Sequence, residues 1–177
     1  MKQISTLTLA FLLALSLKSQ TTDKTVSFIK PNIIQIEFLG VGNSYSLNYE
    51  RFISYKKVFK TSISIGGAYY FGNHDSERIT HCITASINEL YSIKSHHIEI
   101  DIGATYWNVK GISGSDIAGE LGGTPIFLTG RVGYRYQKPD GHLMLKIAYI
   151  PFLKYRNYRH ALTYYKSWAG VTIGYSF

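Results

Sequence analysis

The residues with catalytic or metal-binding potential are few and badly placed for it. His81 and Cys82 are adjacent, as are His96 and His97. Neighbours on a strand point to opposite faces, so neither pair can close on one metal ion. There is no Cys-x-x-Cys, no His-Glu-x-x-His and no phosphate-cradling glycine loop; Gly122-Gly123 falls in a polar connection and reads as a loop. No cofactor is therefore expected. A hydrolytic Ser/His/acid group would have to draw on His81, His160 and one of many serines, and nothing in their order selects a triad. More informative are the charges. Glu37, Glu50, Lys60, Glu99, Asp101, Arg131, Arg135 and Lys146 each stand at an alternate position within an otherwise apolar or small-residue run. Charges spaced in that way share one face of a strand.

The runs that carry them alternate with period two almost everywhere after residue 32, which is the pattern of half-buried strands. Segment 33–39 sets Ile34, Ile36 and Phe38 against Gln35 and Glu37. Segment 44–53 sets Tyr45, Leu47 and Tyr49 against Ser46, Asn48 and Glu50. Segments 58–70, 79–89, 97–107, 125–137, 142–152 and 167–177 repeat the theme, the last with Ala169, Val171, Ile173, Tyr175 and Phe177 against Gly170, Thr172, Gly174 and Ser176. That makes eight strands, an even number. The reading is all-β: a single antiparallel up-and-down transmembrane β-barrel, apolar residues outward and polar or small ones inward.

The connections support it. The second, fourth and sixth are short: Ser54 to Lys57, the stretch near Leu90 to His96, and Lys138-Pro139-Asp140-Gly141, a type I turn by composition. The first, Gly40 to Asn43, is tight. The third, fifth and seventh, about 71–78, 108–124 and 153–166, are longer and polar. Short periplasmic turns and long outer loops place both termini in the periplasm. Tyr69, Tyr70, Tyr106, Trp107, Tyr134, Tyr136 and Trp168 lie near strand ends and are expected in interfacial girdles. A soluble sandwich or lipocalin-like barrel shares the alternation. It fits less well the small, charged inward face, the aromatics at strand ends and a chain that stops on strand residue Phe177.

Length and composition agree. The chain has 177 residues, enough for one domain. Met1-Lys2-Gln3 is a short positive start, Ile4 to Leu17 carries no charge, and Lys18-Ser19-Gln20 is polar. This is the layout of a secretory signal peptide, expected over residues 1–19, with the barrel domain over 20–177. No cysteine lies near that cut, which argues against lipid attachment. Beyond it no apolar run is long enough for a membrane helix. Cys82 is the only cysteine, so no internal disulfide forms. The formal net charge is +8. Lys2 and Lys18 leave with the signal, giving about +6. Outside the cytoplasm that surplus suits anionic lipid head groups and not nucleic acid.

Ser46-Leu47-Asn48-Tyr49-Glu50-Arg51-Phe52, Gly130 through Gln137, Trp168 through Phe177 and the mid-chain His96-His97-Ile98-Glu99-Ile100-Asp101-Ile102-Gly103 resemble a family of small outer-membrane β-barrel proteins of the Bacteroidota. The resemblance spans roughly residues 33–177 and rests on the order and spacing of these stretches. The family's usual Leu-Phe-Gly turn stands here as Leu90-Tyr91-Ser92. The resemblance implies fold and location and no catalytic residues. Tyr175 and Phe177 look like the C-terminal signal read by the barrel-assembly machinery, by strand addition to a template edge.

Three further expectations follow. Pairing of segments 97–107 and 125–137 sets Asp101 opposite Arg131, with Glu99 and Arg135 nearby on the same face. An eight-stranded barrel is only wide enough inside for side chains, so Glu37, Glu50, Glu99, Asp101, Arg131, Arg135 and Lys146 are expected to pair into a plug that closes the lumen. The basic seventh connection, with Lys154, Arg156 and Arg159 among tyrosines, suits lipopolysaccharide phosphates at the outer surface. The function expected is then a non-enzymatic barrel with a structural or interaction role. The alternatives are an outer-membrane lipid-modifying hydrolase and an accessory barrel of a secretion or surface-attachment complex, whose protein partner the sequence does not name.

Overall fold

The computed structural model describes residues 30–177 apart from 43, 57, 70–77, 111–125 and 157–160, and the backbone alone at 78–80, 109–110, 154–156 and 161–165. The expected leader, 1–19, lies outside the described residues. Eight strands follow in order: β1 (Asn32–Phe38), β2 (Tyr45–Tyr55), β3 (Phe59–Tyr69), β4 (Arg78–Ile93), β5 (His96–Lys110), β6 (Ile126–Gln137), β7 (Leu143–Arg156) and β8 (Ala161–Ser176). Each pairs antiparallel with its sequence neighbour, and β1 pairs with β8, so the sheet closes. Closure leaves no edge between the strands' paired spans. Phe177 completes the seam: its N–H donates to Asn32 O (2.9 Å) and its carbonyl accepts from Asn32 N–H (3.2 Å).

With eight strands, the start of β1, the end of β8 and the β2–β3, β4–β5 and β6–β7 turns lie at one end of the barrel, the terminal end. The other four connections lie at the loop end. At the terminal end, Gly141 N–H donates to Lys138 O (3.1 Å), closing the expected type I turn. The β4–β5 connection is tighter than the stretch 90–96 read from sequence. Strand pairing continues to Ile93↔His96, and Lys94 takes a φ of 56°. A left-handed residue lets two strands turn within two residues.

The strands also outrun expectation at the loop end. The connection expected over 153–166 is largely strand, because β7 runs to Arg156 and β8 starts at Ala161. The alternation persists there, with Leu153 and Tyr155 between Lys154 and Arg156 and with Leu162 and Tyr164 between Ala161, Thr163 and Tyr165. Charge density suggested a loop; the period-two pattern was the better guide. β5 likewise reaches Lys110, inside the connection expected from residue 108.

The two faces differ as the alternation requires. Ile34, Ile36, Ile63, Ile65, Ile87 and Ile102 face outward and are exposed, Ile87 by 61%. Polar and small residues face in. The interior is so narrow that some inward positions have no room for a Cβ. One on Gly103 would sit 2.5 Å from the backbone oxygen of Ala85 and 2.7 Å from Ser86 Cβ.

Aromatic rings ring the outer wall at two levels. At the terminal end Phe59 meets Tyr91 (centroids 5.5 Å), His96 meets Tyr136 (5.5 Å) and Tyr134 (6.0 Å), and His142 stacks on Tyr175 (4.8 Å). At the loop end His81 lies between Tyr69 (6.5 Å) and Tyr106 (6.2 Å), and Tyr45 Oη donates to Tyr69 O. Trp107 and Trp168 do not join these belts as expected. Trp107 is buried in the lumen and Trp168 packs partly buried against the same cluster. Position 107 has the parity of Glu99 and Asp101, so its side chain must point inward.

Candidate functional site

The candidate site is the lumen, and it is layered. At its loop end Val41, Trp107, Phe127, Phe152, Ile150, Cys82 and Ala148 form an apolar stopper, with Ala68 and Trp168 packed against it. Val41 is there because the β1–β2 turn folds inward. Leu39 takes a φ of 56° and its N–H donates to Ser44 O (3.0 Å). Two indoles hold the turn from above: Trp107 Nε1–H donates to Val41 O and Trp168 Nε1–H to Gly40 O, each at 3.0 Å. At the terminal end a second stopper consists of Ile33, Phe52, Leu90 and Met144, with Tyr55 against it. The sequence reading anticipated a lumen of Gly, Ser, Thr and charges and missed both stoppers. The available signal was parity: Phe127, Ile150, Phe152 and Met144 are apolar residues at inward positions near strand ends.

Between the stoppers lie four acids, Glu37, Glu50, Glu99 and Asp101, and four bases, Lys60, Arg131, Arg135 and Lys146, all buried. Nearer the loop end, Arg131 bridges Glu37 (Nη2 to Oε2, 3.4 Å) and Asp101 (Nη1 to Oδ2, 3.3 Å). Glu37 Oε2 also accepts from Val41 N–H (3.2 Å) and Ser46 Oγ (3.3 Å), tying the ion pair to the inward turn. Asp101 and Arg131 are direct cross-strand partners, the register expected.

Nearer the terminal end, Arg135 is the hub. Its Nη1 donates to Glu50 Oε1 (2.8 Å) and Glu99 Oε2 (3.1 Å), while Nε and Nη2 donate to Gln137 Oε1 (2.9 and 2.6 Å). Lys146 Nζ takes the other oxygen of Glu99 (2.9 Å), and Ser62 Oγ donates to Glu50 (2.6 Å). The guanidinium also lies 5.2 Å from the Phe52 ring centroid, where the network meets the lower stopper. Arg135 stands opposite His97, and Glu99 opposite Gly133, so the Arg135–Glu99 pair is diagonal across the strands. Around the ion pairs, Ser64, Ser86, Asn88 and Ser62 form a hydrogen-bonded chain. His97 bonds Ser92 Oγ and Gln137 O.

This arrangement balances charge rather than presenting it. Unpaired charges in so narrow a space would cost several kcal/mol each, and every acid here has a basic neighbour or a donor. The upper pair is the looser one. Its contacts are longer than those of Arg135, and Asp101 and Arg131 Nε lack hydrogen-bond partners of good geometry.

The remaining candidates do not converge. His81 stands on the outer wall while Cys82 is buried inside, as their adjacency requires. His160 lies outside the described residues. Tyr175 is exposed on the outer wall and Phe177 at the barrel seam. Lys154 and Arg156 belong to β7, and Arg159 lies outside the described residues.

No protein-family model matches the chain, and no curated protein matches it. Among solved structures it is similar to the N-terminal β-barrel domain of OprF from Pseudomonas aeruginosa. The two are 12% identical, with 84% of this chain and 99% of that chain covered and a TM-score of 0.47.

Proposed function

We propose that this chain is a non-enzymatic integral outer-membrane barrel with a sealed lumen, serving a structural or interaction role at the cell surface. The observation that carries the reading is the spacing of the two aromatic belts. Phe59 and Tyr69 on β3, His81 and Tyr91 on β4, and His96 and Tyr106 on β5 are each separated by ten positions. Ten residues span about 33 Å along a strand. At the tilt of a small barrel that is about 25 Å along its axis, the height of a membrane barrel's apolar band. Between the belts the wall is mostly isoleucine, leucine and valine, exposed to an extent that a water-facing surface rarely sustains. The sealed, charge-balanced lumen supports a role for the barrel as an anchor or surface element in place of a conduit.

In this reading residues 1–19 direct export, the termini lie in the periplasm, and Tyr175 and Phe177 serve recognition by the assembly machinery. Lys154, Arg156 and Arg159 then meet lipopolysaccharide at the outer surface. Epitope tags at Ser113 and Asn157 should be labelled on intact cells, and a tag at Asp140 only after the outer membrane is opened. Labelling at Asp140 alone would reverse or remove the proposed topology. The same labelling with Phe177→Asp should find no folded, surface-exposed barrel. Wild-type surface labelling in that variant would exclude the assembly role of the last residue.

A further inference from the structure

Outside the lumen, charge is shared unevenly between the two ends. Each of the three turns at the terminal end carries a lysine: Lys56 in β2–β3, Lys94 in β4–β5 and Lys138 in β6–β7. All three are exposed. Lys30 precedes β1, and Arg51 stands exposed on the outer wall, where Nη1 donates to Asn32 Oδ1 (3.4 Å). Among the described turn residues at this end the one acid is Asp140. Lys30 Nζ donates to its main-chain oxygen (2.9 Å) and contacts His142 Nε2 (2.8 Å). The nearest acid on the wall, Glu89, lies inside the belt and accepts from Thr61 Oγ1 (2.7 Å). The connections of the loop end carry both signs in sequence, with Asp75, Glu77, Asp116 and Glu120 among them. The lumen's four acids and four bases cancel. The loop end also carries Arg78, Lys110, Lys154, Arg156, Arg159 and Lys166 in sequence, so it keeps a smaller share of the positive surplus, and the larger share lies as a ring around the terminal end.

That ring lies just beyond the lower aromatic belt. Lys56 precedes Phe59 by three residues, Lys94 precedes His96 by two, and Lys138 follows Tyr136 by two. Tyrosine rings at a membrane boundary sit at head-group depth, so ammonium groups one step farther out reach lipid phosphates. A lysine ammonium is a compact, freely rotating charge that suits phosphate oxygens approaching from many directions. Its attraction to an anionic leaflet extends over about a Debye length.

We propose that the Lys56, Lys94 and Lys138 ring, with Lys30, binds anionic phospholipid head groups of the leaflet at the terminal end. The proposal rests on the membrane-spanning reading above and adds the lipid class and the leaflet. The phosphodiester oxygens accept from the lysines while the acyl chains lie along the isoleucine wall between the belts.

The test is electron spin resonance of the full-length chain in phosphatidylcholine vesicles, with spin-labelled phosphatidylglycerol or phosphatidylcholine as probe. Phosphatidylglycerol should associate about three-fold more strongly at low ionic strength and lose that preference at about 0.5 M salt. The triple change Lys56→Gln, Lys94→Gln, Lys138→Gln should remove most of the preference, the corresponding Arg triple should keep it, and Lys166→Gln at the loop end should leave it unchanged. Equal association of the two lipids with the native chain would overturn the proposal. So would a preference that survives the Gln triple largely intact or falls equally with Lys166→Gln; a ring without lipid preference points instead to an acidic protein partner. If neither probe shows a motionally restricted component, the chain is not in the bilayer, and the membrane reading fails along with the ring.

Discussion

At the scale of the residue, Arg131 and Arg135 divide the lumen's work. Arg135 makes four hydrogen bonds to three partners and is completely buried. Arg131 has two carboxylates at longer range and an unpartnered Nε. Removing the Arg131 guanidinium takes the ion-pair partner from two buried carboxylates, Glu37 and Asp101, a change that costs about 3–5 kcal/mol when the site is fully desolvated. Arg131→Ala should therefore lower the urea midpoint of the refolded barrel clearly. Asp101→Asn combined with Arg131→Gln should cost less than the two single changes summed, because Arg131→Gln alone leaves the Asp101 carboxylate without its ion-pair partner and the double change does not. Simple additivity in unfolding titrations would show that the pair is not coupled. The Asp101–Arg131 contact was legible in sequence, because parity and loop length together fix a cross-strand partner. The contributions of Glu37 and Glu50 were legible only as inward direction. They reach Arg131 and Arg135 across the lumen, and no strand-by-strand pattern encodes which opposite walls meet.

At the scale of the element, the β1–β2 turn is the part least like its sequence description. Gly40-Val41-Gly42-Asn43 reads as a tight hairpin, yet Gly40, Val41 and Gly42 turn into the lumen and are held by two tryptophans. Tryptophan near a strand end suggests a girdle by composition, and only its inward parity separates Trp107 from Tyr106. Trp107→Phe should isolate the hydrogen bond, since a phenyl ring retains contact with Phe127 and Phe152. It leaves the buried Val41 carbonyl without its donor and should destabilise the barrel by about 1–3 kcal/mol in equilibrium unfolding. An unchanged midpoint would mean that the turn is held by packing alone. Strand existence and direction were readable throughout because the alternation is strong. Strand ends were not, since β7 and β8 continue through residues whose charges suggested a loop.

At the scale of the whole molecule, three layers in series close the barrel: apolar stopper, ion-paired middle, apolar stopper. An ion entering from either end meets an apolar layer first and must shed its water there, a cost of several kcal/mol or more. Purified protein in planar bilayers should therefore show no stable large conductance. Regular, long-lived open steps would contradict the sealed lumen. Variants that empty one stopper without touching the charges, such as Phe127→Ala with Phe152→Ala, should leave the ion pairs and the terminal-end stopper as the remaining barrier.

The inward-turned first hairpin also bears on how such a barrel comes together. Glu37 and Arg131 are separated by 94 positions and Glu50 and Arg135 by 85. The contacts between the chain's opening strands and its sixth strand therefore exist only after the sheet has curled and β1 has met β8. Until then the polar face of the growing sheet must stay wetted, while the isoleucine face already suits lipid. An unfinished barrel is thus an amphipathic ribbon, and closure is the step at which its water leaves and the opposite walls recognise each other. Contacts this distant along the chain make slow folding the rule, so the last seam to form is also the one that tells the molecule that it is complete.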